Sequence, residues 1–181
     1  HRHPDTAMIP ALRARFNREW TPERHEAFLA LVASRTGVPL GFTLSETPCF
    51  FPAALLDEMA ATGATLVTSF LANAEARAAA EALIPARYLG PGQESRPTCV
   101  QVDFGLVREA DGRFTPRLVE LQAFPSLYGF QHTLAAISRE VHQLPDSCAA
   151  HLGGLDDAGY LALLRDVLVG QHDPAEVVLL E

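Results

Sequence analysis

Asp103, Glu120 and Gln122 are the residues whose types and spacing point most directly to chemistry. They lie in TCVQVDFGLVREADGRFTPRLVELQAFPSLYGFQ, residues 98 to 131, where two strand-like segments flank an Asp-Gly pair. Val100, Val102, Phe104 and Leu106 alternate with Gln101, Asp103, Gly105 and Val107, the period-two pattern of a strand with one buried face. Ala110, Asp111 and Gly112 supply a turn, and Phe114 to Gln122 returns as the partner strand, with Pro116 at its exposed start. Asp103 and Glu120 stand at similar distances from that turn, so antiparallel pairing sets them roughly opposite each other, within a register shift of two residues. Like charges facing across a strand pair repel. A divalent cation between them removes the repulsion, and two carboxylates with the Gln122 amide oxygen form an oxygen set suited to magnesium. Two other arrangements stay open: a salt bridge from Arg117 to Glu120 or Asp103 across a bulged strand, and a plain solvated acidic face.

The order of these residues resembles a family. VDFG at 102 to 105, the Asp-Gly turn and LVELQAFPS at 118 to 126 are similar to the pattern of circularly permuted ATP-grasp ligases, such as the synthetase domain of glutathionylspermidine synthase. The resemblance implies that Asp103, Glu120 and Gln122 hold magnesium against the phosphates of ATP. Gln101 stands where the family carries an arginine that steadies the acyl phosphate or the substrate carboxylate, and glutamine replaces the family's asparagine at 122. Gln101 and Ser126 are therefore the expected substrate-side residues. Ser126 has a second reading, as the cap of the helix that follows. The family's nucleotide-gripping lysines lie on a further subdomain, and all fourteen basic residues here are arginine. The expectation is an amino-terminal portion of a longer ligase, with most ATP contacts outside residues 1 to 181.

Composition is compatible with that chemistry and excludes some alternatives. A chain of 181 residues, 48% hydrophobic and 20% charged, is long enough to build a core. A formal charge of −8 argues against general affinity for nucleic acid or an anionic membrane surface, both of which require clustered positive charge. No apolar run approaches the about eighteen residues of a membrane-spanning helix, and no secretory leader precedes the first charged residues, so a cytoplasmic protein is expected. Cys49, Cys99 and Cys148 are too widely separated for a zinc motif or a disulfide framework and read as reduced structural residues.

The elements that must position the hairpin are legible from caps and breakers. Residues 1 to 20 carry mixed charge with little periodicity and are expected as a loosely ordered lead-in to a single domain over 21 to 181. Thr21 and Pro22 open a helix whose apolar face is Phe28, Leu29, Leu31 and Val32, and Gly37 ends it. Leu40 to Phe51 reads as a strand leading into an irregular connection at Pro48. Pro52 starts a helix expected to close at Gly63, with an alanine-rich helix from Ala64 to Leu83 after it. Further helices are expected over Leu127 to Leu144 and Leu155 to Val169, and Val177 to Leu180 reads as a short buried strand. The fold class is α+β, or mixed α/β: helices flanking a small, mainly antiparallel sheet with the hairpin at its centre, and by resemblance part of an ATP-grasp-like fold.

Other chemistry is less well supported. His132, His142, His151 and His172 lack HxH or HxxxH spacing and read as surface or core histidines. No GxSxG elbow exists, and GPG at 90 to 92 lacks the ending of a phosphate loop. SETPCFFP at 45 to 52 reads as a connection, with Glu46 a polar contact if the segment walls a site. The leading functional expectation is thus a magnesium-dependent, ATP-grasp-like carboxylate–amine ligase acting on a small molecule. The alternative is a non-catalytic α+β binding or dimerisation domain with a solvated acidic hairpin.

Overall fold

The computed structural model describes residues 8–92, 96–123 and 127–178. Among them are six α-helices and one two-stranded antiparallel sheet, an α+β architecture. Helices α1 (Pro10–Glu19), α2 (Pro22–Thr36), α3 (Ala53–Ala72) and α4 (Ala74–Glu81) precede strands β1 (Gln101–Arg108) and β2 (Phe114–Gln122), and α5 (Tyr128–His142) and α6 (Asp157–Leu168) follow. The chain divides into two compact units, one formed by residues 1–53 with 126–181 and the other by residues 54–125. No helix among the described residues is long and apolar enough to cross a membrane.

The helical unit is organised by α2. The Thr21 hydroxyl accepts the Arg24 N–H at 3.2 Å, Pro22 occupies the first turn, and Gly37 leaves the helix at φ 70° while its N–H donates to the Ala33 carbonyl. Phe28 and Val32, one turn apart, pack with Ile137 of α5 into a buried cluster ringed by Leu31, Leu40, Leu44, Phe130, Leu134 and Val141. The rim of this helix pair carries an ion pair between Arg35 and Glu140. At the far end of α5, His142 is buried, its ring edge-on to Phe16 with centroids 4.8 Å apart and tilted against Phe28 at 5.4 Å.

Residues 10 to 19, expected within a loosely ordered lead-in, instead form α1. Its face is mostly polar, so periodicity gives little sign of it; Phe16 is its one buried side chain, held between His142 and Phe50. The Ile9 N–H donates to the Phe50 carbonyl at 2.6 Å and ties the start of the helix to the same place. The strand expected between Leu40 and Phe51 is absent. Thr47 and Ser45 bond to each other instead, the hydroxyl of Ser45 accepting the Thr47 N–H and donating to its carbonyl, a local turn that competes with strand pairing. Val177 and Val178 are exposed and lie outside any strand, while 179 and 180 fall outside the described residues.

In the hairpin unit the expected break at Gly63 does not occur, and α3 continues to Ala72 before Asn73 caps α4 by accepting the Ala76 N–H at 3.0 Å. Gly63 is buried, and a Cβ built there stands 3.2 Å from a methyl of Val102 on β1. Glycine sits inside this helix because the strand's side chain comes close, which outweighs its weak helix propensity. Cys49 is exposed, Cys99 and Cys148 are half-buried, and all three are free thiols.

Two predictions follow from this packing. Burial, together with the charge of Arg24 and the nearby His25, holds the His142 pKa below the usual histidine range. A histidine whose folded pKa is depressed favours folding in its neutral form, so its contribution is complete above the unfolded value of about 6.5 and is lost as pH falls through it. Urea midpoints measured from about pH 7.5 to about pH 5 will therefore fall for the wild type and less steeply for His142→Leu; parallel curves would exclude His142 as the cause. Separately, Gly63→Val overpacks the contact with Val102 and should cost about 1–3 kcal/mol by chemical denaturation. Unchanged stability would mean that Val102 yields freely.

Candidate functional site

The turn at the tip of the hairpin fixes where its acids fall. The Glu109 N–H donates to the Arg113 carbonyl at 2.8 Å, the Gly112 N–H donates to the Glu109 carbonyl at 2.9 Å, and Asp111 accepts the Arg113 N–H through its side chain at 2.9 Å. Gly112 takes φ 83°, which a residue with a Cβ rarely adopts. From this end the ladder runs Arg108 to Phe114, Val107 to Thr115, Leu106 to Pro116, Gly105 to Arg117 and Phe104 to Leu118.

Beyond Phe104 the register shifts by one residue. Asp103 pairs with Glu120, Val102 with Leu121 and Gln101 with Gln122, leaving Val119 as the extra residue of a β-bulge. Without the shift, Asp103 would face Val119 and Glu120 would face Val102. The bulge is therefore what puts the two carboxylates opposite each other. Val102 points at Gly63, so alternation places Gln101 and Asp103 on the other face of β1, where Glu120 and Gln122 join them. Four oxygen-bearing side chains thus occupy two alternate cross-strand pairs on one face, with Asp103 and Glu120 both exposed.

Among the described residues, neither Asp103 nor Glu120 enters an ion pair. The Arg117 guanidinium, which the sequence offers as a partner for either carboxylate, reaches toward the turn and pairs with Glu109 at 3.0 Å. Gln101 contributes a further signal: its side-chain oxygen is closed off from solvent with no hydrogen-bond partner. A shielded amide oxygen beside two opposed carboxylates is an arrangement that accepts a cation or a strong donor. Of the expected site residues, Gln101, Asp103, Glu120 and Gln122 come together, whereas Ser126 lies outside the described residues. The described residue before α5 is Leu127, which has φ 62° and makes no side-chain cap.

Two constellations in the helical unit complete the inventory. The segment around Pro48 does wall a cavity, of about 120 Å³, shared among others with Phe28, Ser138 and His142; Ser45 and Thr47 line it and Glu46 does not. Its size suits a few water molecules. The second constellation escapes sequence spacing altogether: His132 on α5, His151 in the loop before α6 and Asp157 at the start of α6 converge. Of the four histidines read as surface or core residues, His142 is in the core, but His132 and His151 are neighbours of each other. The only sequence signal was the recurrence of His and Asp around a helix start, which is too common to select them. No known family's sequence profile matches this chain, and neither a curated protein nor a solved structure is detectably similar to it.

Proposed function

We propose that the hairpin is the magnesium and phosphate site of an ATP-grasp-like carboxylate–amine ligase acting on a small molecule. One observation carries the reading: the bulged register opposes Asp103 and Glu120 while Arg117 is engaged elsewhere. Opposed carboxylates without a basic partner are unfavourable by themselves, on the order of 0.5 kcal/mol for a cross-strand pair, and the arrangement gains its purpose when a cation is shared. Asp103 and Glu120 would hold the ion through carboxylate oxygens and Gln122 through its amide oxygen. The shielded oxygen of Gln101 would complete the set or orient a donor group of the substrate. Ser126 is the proposed substrate contact beyond β2. Magnesium bound there would offset the charge of ATP phosphates as a substrate carboxylate is activated.

The test separates binding from folding. Titrating Mn²⁺, followed by the loss of its free paramagnetic signal, should give a saturable site in the wild type that competes with Mg²⁺. Glu120→Gln should weaken that site by at least about tenfold while leaving the metal-free protein as stable as the wild type or slightly more so, because a like-charge pair has been relieved. Equal Mn²⁺ affinity in the two proteins would remove the metal assignment. In that case the acidic hairpin is a solvated face, and the chain is better described as a binding or dimerisation module.

A further inference from the structure

Three ligand atoms in the helical unit lie close together. His132 Nδ1 lies 3.2 Å from His151 Nε2, His151 Nε2 lies 3.0 Å from Asp157 Oδ1, and His132 Nδ1 lies 4.0 Å from the same oxygen. The two imidazoles are largely buried, with side chains 15% and 8% exposed, whereas the Asp157 carboxylate is 68% exposed. The rings are fixed by stacking. Tyr160 lies 4.2 Å from His151 and 8° from parallel, His132 lies 5.3 Å from His151 at 17°, and the Tyr160 hydroxyl donates to the Tyr128 carbonyl at 3.1 Å.

Protons alone satisfy this triangle poorly. His151 Nε2 faces both Asp157 and His132. If it carries a proton, that proton points at the carboxylate or at His132 but not directly at both. If it carries a lone pair, the pair faces a carboxylate oxygen. A cation placed among the three atoms accepts all three lone pairs at once. The separations also suit one, since bonds of about 2.0–2.1 Å in a tetrahedron put ligand atoms about 3.3 Å apart. The observed spacings bracket that value.

We propose that His132, His151 and Asp157 form a zinc site, with a fourth position open to water on the Asp157 side. Two imidazoles and one carboxylate favour zinc or a neighbouring transition ion over magnesium or calcium, which prefer oxygen. The ion would join α5, the loop at His151 and the first turn of α6. The carboxylates of Asp156, which caps α6 by accepting the Gly159 N–H at 2.7 Å, and of Asp157 offset the positive end of that helix beside the cation. This site shares no residue with the hairpin and stands or falls without it.

The experiment uses the purified chain stripped with chelator and titrated with Co²⁺ and Zn²⁺ alone. The wild type should bind one Co²⁺ with the strong visible absorption of a four-coordinate ion, Zn²⁺ should displace it, and Zn²⁺ should raise the melting temperature. Asp157→Asn changes an exposed side chain and leaves the stacked rings in place, so it should fold normally yet bind at least about tenfold more weakly. Replacing His1 and His3 together with alanine controls for adventitious binding at the chain start and should leave affinity unchanged. Absence of stoichiometric binding, equal affinity in Asp157→Asn, or loss of binding in the His1/His3 variant would each overturn the assignment and leave a hydrogen-bonded His–His–Asp cluster.

Discussion

The contact of Val32 with Ile137, the two side chains with almost no exposure, sets the geometry of the helical unit. It locks α2 against α5, and α5 then fixes three features by its own periodicity. Phe130 and Leu134 face the cluster, His132 projects to the stack with His151 and Tyr160, and His142, one turn beyond Ser138, closes the end against Phe16 and Phe28. A helix whose central residue is fully enclosed cannot rotate without exposing it, so all the side chains it displays are committed together. Both ends of α5 reinforce this, with Leu127 and Gln143 in left-handed conformations that non-glycine residues seldom adopt.

The hairpin unit obeys a different constraint. Its side chains repeat every two residues, so a slip of one residue exchanges its faces. The turn at Glu109 to Arg113 sets one register and the bulge at Val119 sets another. The packing of Val102 onto Gly63 anchors the second register to α3. Helix propensity alone disfavours glycine there, and the close approach of the strand explains its presence.

Local chemistry made part of this legible in advance. Thr21, Pro22 and Gly37 define α2 because capping depends on residues adjacent in sequence, and Asp111 with Gly112 define the hairpin for the same reason. Distances to the turn placed Asp103 and Glu120 only roughly opposite each other; their direct pairing needs the bulge, which left no clear mark in the residue pattern. What stayed hidden depends on distant partners. Helix α1 needs Phe50 and His142 to bury Phe16, the continuity of α3 needs Val102, and the meeting of His132, His151 and Asp157 needs α6 to return to α5. The opposite error has a local cause: Leu40 to Phe51 alternates like a strand but joins no sheet among the described residues, and Ser45 and Thr47 satisfy each other instead.

The bulge at Val119 gives the hairpin something like a vernier scale, with two rulers of equal spacing offset by one division. The half nearest the turn can change in sequence or twist while the half bearing Asp103 and Glu120 keeps its own phase. Closing the bulge so that Val119 pairs with Asp103 would merge the rulers and carry Glu120 opposite Val102, onto the face that Gly63 already crowds. One unpaired residue, with no chemistry of its own, thus decides whether the acids meet in solvent or one of them turns toward a helix.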